Sequence, residues 1–282
     1  MDGSCYLTLF GKPGSAYVIE SSSALGTKPN WSAVAYVPLS MPFTNIPVSG
    51  QGTVFYRVGE MFASPPVMNL VRNADGSADV TLFGRAGYAY LLQSAPPANP
   101  NLWATLQRVL LDKPFTSVHL SSVMANLINA VELAPDPCVL ELSPNADGTA
   151  ILRLFGKPGS SYRIENASVV GGGANWKSLF RVPLATSYAN LQTVPLTQKS
   201  AFYRAAEFTA DVPILEALMN PDRSRKLLLY GRKSQSYAVE YTTNLSGHPA
   251  WYPLVTNTLT SSFGYVNVTN TANSIFYRLH RN

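Results

Sequence analysis

The sequence predicts an all-β chain, a tandem array of four small antiparallel β-sandwich modules of which the first lacks its N-terminal strand. Three observations lead there. The run Leu9-Phe10-Gly11-Lys12-Pro13-Gly14, reaching Tyr17, has counterparts starting at Leu82, Leu154 and Leu229, at steps of 73, 72 and 75 residues. Tryptophan falls once per repeat, at Trp31, Trp103, Trp176 and Trp251. Apolar residues alternate with period two at Leu7 and Leu9, Val80 and Leu82, Leu152 and Leu154, and Leu227 and Leu229, and no segment sustains helical periodicity.

The repeat divides the 282 residues into modules at 1–62, 63–134, 135–209 and 210–282. Each is close to the smallest size that folds alone, since a domain of about 60 residues buries only about 60% of its unfolded surface. Modules two to four open on a proline-bearing linker and a short apolar strand such as Val67-Met68-Asn69-Leu70-Val71. Asn73-Ala74-Asp75-Gly76 and Asn145-Ala146-Asp147-Gly148 follow as hairpin turns. A calcium loop would need a ladder of carboxylates, and one aspartate per turn does not supply it.

Asp2-Gly3-Ser4 aligns with Asp75-Gly76-Ser77, so the first module starts at the turn, without the strand that should precede it. That alignment leads us to expect a segment of a longer chain.

The second strand carries the period-two alternation and ends in the Gly-Lys-Pro-Gly turn, where proline fixes φ at i+1 and Gly14 and Gly159 supply positive φ at i+2. A third strand points Tyr17 and Ile19, Tyr90 and Leu92, Tyr162 and Ile164, and Tyr237 and Val239 toward the core. A variable loop then leads to each tryptophan. Three residues later Val34, Leu106, Leu179 or Leu254 begins a fourth strand, and fifth and sixth strands follow, the sixth marked by Phe-Tyr-Arg at 55–57, 202–204 and 276–278.

Two recurring charges suggest a pair. Glu20, Glu165 and Glu240 end the third strand, and Arg57, Arg204 and Arg278 lie on the sixth; module two replaces both, with Gln93 and Asn129. Joint loss implies that the two face each other across adjacent strands, an exposed contact usually worth about 0.2–1 kcal/mol. The four tryptophans are expected to anchor thin cores rather than form a sugar-stacking platform.

The composition restricts function. Charged residues make up 13%, below the ~25% of ordinary globular chains. The net charge of +5 is spread along the chain with no run of basic residues longer than two, which argues against nucleic acid. His119, His248 and His280 occupy unrelated repeat positions, and neither metal-ligand spacing nor a nucleophile elbow is present. We therefore expect no enzyme and no cofactor. Cys5 and Cys138 sit at different repeat positions and read as separate thiols, and no apolar run approaches a membrane span. Lys12, Arg85, Lys157 and Arg232 place one basic residue per module in the same turn, one candidate contact for an acidic polysaccharide; the variable loops at the opposite end of the third strand are the competing candidate surface. A closed propeller is disfavoured, because its blades hold four strands rather than six.

The pattern Gly-x-x-Gly-x-x-Tyr-x-Ile-Glu, then a loop, Trp, a strand and Phe-Tyr-Arg, resembles small sandwich modules of large secreted bacterial proteins of verrucomicrobial and planctomycete type. Module four, with Tyr237-Ala238-Val239-Glu240-Tyr241, Trp251 and Phe276-Tyr277-Arg278, carries it best. The resemblance implies an immunoglobulin-like or fibronectin-III-like fold and an extracellular, secreted or cell-surface, spacer or adhesion role; the partner we expect of such an array is a polysaccharide or a cell-surface protein. It implies no catalytic residues.

Overall fold

The computed structural model describes residues 4–25, 29–49, 54–61, 64–121, 123, 126–147, 149–171, 173–195, 202–219, 224–268 and 274–281. All regular structure among them is strand, and the sheets are antiparallel throughout. The chain separates into two compact units, 1–133 and 134–282, each holding two sandwiches.

In the first unit, module one contains β1 (Ser4–Phe10), β2 (Ala16–Ser22), β3 (Ser32–Pro38), β4 (Phe43–Ser49) and β5 (Phe55–Glu60). Its sheets are β1-β4 and β3-β2-β5. Module two contains β6 (Val67–Arg72), β7 (Ala78–Phe83), β8 (Tyr88–Ala95), β9 (Ala104–Leu111), β10 (Phe115–Leu120) and β11 (Leu127–Glu132), in sheets β10-β7-β6 and β11-β8-β9.

The second unit repeats the six-stranded plan twice. Module three pairs β12 (Val139–Pro144), β13 (Thr149–Phe155) and β16 (Tyr188–Pro195) against β14 (Ser160–Ala167), β15 (Lys177–Leu184) and β17 (Phe202–Glu207). Module four pairs β18 (Ile214–Met219), β19 (Arg225–Tyr230) and β22 (Phe263–Val268) against β20 (Ser236–Thr242), β21 (Tyr252–Thr258) and β23 (Phe276–Arg281).

Each core lies between its two sheets, filled by the alternating residues of the second and third strands. Leu152, Leu154, Tyr162 and Ile164 form the centre of module three, and Val80, Leu82, Tyr90 and Leu92 that of module two. The aromatic at the centre of each of these cores is a tyrosine, and Tyr90, Tyr162 and Tyr237 are all but inaccessible.

The turn after the second strand explains the signature motif. The Ser15 N–H donates to the Lys12 carbonyl at 3.1 Å, Gly14 has φ of 89°, and Gly159 and Gly87 repeat it at 83° and 82°. The core tyrosine then reaches back, so that the Lys12, Arg85, Lys157 and Arg232 N–H groups donate to the hydroxyls of Tyr17, Tyr90, Tyr162 and Tyr237, each at 2.8 Å. The glycine opening each motif leaves room for that ring. A Cβ at Gly11, Gly84, Gly156 or Gly231 would sit 2.5–2.7 Å from it.

The Asp-Gly hairpin behaves as a self-capped turn. The Asp75 carboxylate accepts from the Ser77 N–H and hydroxyl at 2.9 and 2.6 Å, and Asp147 does the same for Thr149. Gly3 and Gly148, from the same reading, lie outside the described residues. Cys5 and Cys138 are both free thiols.

The fourth strand departs from its sequence reading. In all four modules the register slips by one residue beside the third strand: Ile19 faces Ala35 but Glu20 faces Ala33, leaving Val34 in a bulge. Leu106, Leu179 and Leu254 are skipped in the same way. These apolar residues read as the start of the fourth strand, which begins two residues earlier, at Ser32, Ala104, Lys177 and Tyr252. Val34, Leu106 and Leu179 are exposed.

Candidate functional site

Two constructions recur: an arginine platform on one sheet of each charged module, and a joint between neighbouring modules within each unit. In the platform, strand register sets Glu20 opposite Arg57, Glu165 opposite Arg204, and Glu240 opposite Arg278. Arginine Nε lies 2.6, 2.7 and 2.6 Å from the carboxylate in these pairs. Arg163 adds a second contact to Glu165 at 2.7 Å.

The tryptophans correct the expectation of core anchors. Trp103 is 37% exposed, and Trp31, Trp176 and Trp251 are half-buried. In the charged modules each indole lies against the arginine of the pair, with the guanidinium carbon 4.5, 4.2 and 4.5 Å from the ring centroid in Arg57–Trp31, Arg204–Trp176 and Arg278–Trp251. Each indole stands at the entry to the fourth strand, just before the bulge, beside the sixth strand's arginine. In module two Asn129 faces Gln93, so the Glu–Arg pair has no counterpart at these positions.

Electrostatics agree with the geometry. Burial acts to raise the Glu165 carboxyl, but Arg204 and Arg163 outweigh it and hold the group below its ordinary value. A hydrogen bond from Arg278 does the same for Glu240. Each of these arginines thus holds a carboxylate through Nε and an indole against one face of its guanidinium, both within its own module, which is what a folding element needs.

Three of the four basic turn residues are neutralised locally. Arg85 meets both Glu132 oxygens, at 2.6 and 2.5 Å, and lies 3.8 Å over the Tyr88 ring. Lys157 pairs with Asp136 at 2.7 Å, and Arg232 with Asp211 at 2.7 Å. Hydrogen bonds to Glu132, Asp136 and Asp211 hold all three above their ordinary pKa. Lys12 is exposed. The carboxylates come from the end of the sixth strand and from the linker, positions the repeat had not singled out. A signal was present, because Glu60, Glu132 and Glu207 recur at the same sixth-strand position.

The joint uses equivalent residues in both units. Ala16, Tyr36 and Met61 of module one close on Val67, Phe83 and Phe115 of module two. In unit two, Phe208 and Ala210 close on Ile214, Leu228, Tyr230 and Phe263. The Asn69 amide donates to the Tyr36 carbonyl at 3.2 Å, and at the same repeat positions Arg181 meets Glu216 at 2.7 Å. The unit-two joint adds the Ser262 N–H donating to the Gly159 carbonyl at 3.0 Å and a Ser161–Ser262 hydroxyl contact at 2.6 Å. Tyr230 is fully buried in this joint and its hydroxyl has no partner among the described residues.

Among the described residues no three His, Cys, Asp or Glu side chains gather as a metal would require, and no helix is long and apolar enough to cross a membrane. No family model and no curated protein matches the chain. Among solved structures it is similar to the tetra-tandem repeat in the extending region of a large adhesion protein, at 10% identity over 99% of this chain and 95% of that one, with a TM-score of 0.15. It is also similar to the native form of E. coli alpha-2-macroglobulin, at 10% identity over 94% of this chain and 27% of that one, with a TM-score of 0.16. Such loose likeness carries no argument, and the fold rests on the chain's own sheets.

Proposed function

We propose that this chain is a non-enzymatic, extracellular structural array that spaces or displays partners at a surface and contributes to adhesion. The observation that carries the reading is the repeated joint. Neighbouring sandwiches in each unit are fixed by an apolar plug and a polar clasp at matching positions, so the order of modules is built into the fold. The other recurring residues, the platform and the tyrosine-capped turn, are consumed by contacts within their own modules.

Pulling the chain between two handles tests this. Successive release of whole modules, each lengthening the chain by about 20–25 nm, is the expected record. A single featureless extension at low force contradicts a load-bearing spacer.

The alternative, an array that binds acidic polysaccharide, loses much of its charge, since Arg85, Lys157 and Arg232 already hold carboxylates. A glycan array separates the two readings. Salt-sensitive binding that vanishes when Lys12, Arg85, Lys157 and Arg232 are replaced together would favour the polysaccharide reading.

A further inference from the structure

Module four breaks the repeat at two positions on the inner side of one sheet. Strand register sets Leu70 opposite Val80 in module two and Leu142 opposite Leu152 in module three, but Ala217 opposite Leu227 in module four. A methyl thus stands where the other modules place an isobutyl group. Two residues before Leu227, in the place of the fully buried Ala78 and Ala150, module four carries the half-buried Arg225. Alternation along β19 turns Arg225 to the same side as the core residues Leu227 and Leu229. A charge set there costs stability unless it is paired, and among the described residues Arg225 forms no ion pair.

The two changes meet at one cleft. It measures about 390 Å³ and is lined chiefly by Leu215, Ala217 and Leu227 of one sheet and by Trp251, Phe276 and Tyr277 on the other side. The Tyr277 hydroxyl is buried and has no hydrogen-bond partner among the described residues. Burial raises the pKa of this phenol while Arg225 draws it back, so the guanidinium lies within electrostatic reach of the hydroxyl.

We propose that this cleft binds a small amphiphilic carboxylate, with its apolar body against Leu215, Leu227 and Trp251 and its carboxylate accepting from the Arg225 guanidinium and the Tyr277 hydroxyl. The volume is at the lower end of the range of about 300–1,000 Å³ for small-molecule sites. A wholly apolar ligand would leave the hydroxyl unpaired and the arginine unmatched, and a bare anion would leave the apolar walls wet, so the ligand needs both parts. The site belongs to module four and uses none of the residues of the joints, so its test is independent of the spacer reading.

Isothermal titration calorimetry of dodecanoate and of naphthoate into the whole chain tests this, with the matching alcohols as uncharged controls. Saturable one-site binding of at least one carboxylate is expected, and which of them binds separates an acyl from an aromatic body. The repeat itself supplies the variants. Arg225→Ala restores the residue of modules two and three and should weaken binding about tenfold or more. Ala217→Leu likewise restores theirs and should abolish binding by filling the cleft, and Tyr277→Phe should weaken it about threefold. Circular dichroism melting curves check that each variant is folded. No saturable binding of either carboxylate, an alcohol that binds as tightly as its acid, or binding indifferent to Arg225→Ala or to Ala217→Leu overturns the proposal.

Discussion

The guanidinium carbon of Arg204 lies 4.2 Å from the centroid of the Trp176 indole. Its Nε is at the same time 2.7 Å from Glu165, a carboxylate only 5% exposed. Arg204→Ala therefore removes a ring contact and leaves a nearly buried anion with Arg163 as its remaining partner. A loss of about 1–2 kcal/mol is expected, read by calorimetry on the 282-residue chain. Trp176→Ala, which spares the ion pair, should cost less, about 0.5–1 kcal/mol. Equal losses would mean that the indole matters through its own burial rather than through the cation.

The motif glycine makes a sharper prediction. At Gly156 a Cβ would sit 2.5 Å from the Tyr162 hydroxyl oxygen, and that hydroxyl is fixed by the Lys157 N–H at 2.8 Å. Gly156→Ala should destabilise module three by about 1–3 kcal/mol through overpacking. Pairing it with Tyr162→Phe, which removes the hydroxyl oxygen but leaves the ring Cζ at 2.6 Å, should recover part of the loss. Additive losses in the double variant would show that the glycine is needed for some other reason.

Tyr230 sits at a position that is Phe10, Phe83 and Phe155 in the other modules, and its buried hydroxyl is unpartnered among the described residues. Burial pushes its pKa well up, as expected of a phenol that cannot ionise there. Tyr230→Phe removes that polar atom and keeps the ring 5.5 Å from Phe208. The melting temperature should stay level or rise, by up to about 1–2 kcal/mol in stability. A clear fall would reveal a hydroxyl partner.

Much of this was legible because it repeats. Four copies of Leu-Phe-Gly or its near equivalents fixed the period, and the joint replacement by Gln93 and Asn129 exposed the Glu–Arg pair without coordinates. The tryptophans misled for a physical reason. An indole kept at one place suits a thin core and suits a cover for a cation equally well, and spacing does not separate the two. The bulges at Val34, Leu106, Leu179 and Leu254 were hidden because an apolar residue inside a strand gives no sign of a one-residue slip. The basic turns looked free because their partners Glu132, Asp136 and Asp211 lie 21 to 47 residues away along the chain.

The platform also sets how stability responds to acid. The Arg278 hydrogen bond keeps the Glu240 carboxyl below its ordinary value of 4.5, so the unfolded chain takes up this proton at a higher pH than the folded one. Glu165 shifts in the same direction, with Arg204 and Arg163 overcoming burial. The stabilisation from both is fully present above pH 4.5 and is lost as pH falls through the lowered folded values. Module two carries Gln93 at this position and has no such dependence from its platform. Denaturation midpoints between about pH 6 and about pH 3 should therefore fall for the native chain and fall less steeply for Glu240→Gln. Parallel curves for the two proteins would remove the Glu240–Arg278 pair from any account of acid sensitivity, and would point to the self-capped turns, where Ser77 and Thr149 likewise lower Asp75 and Asp147.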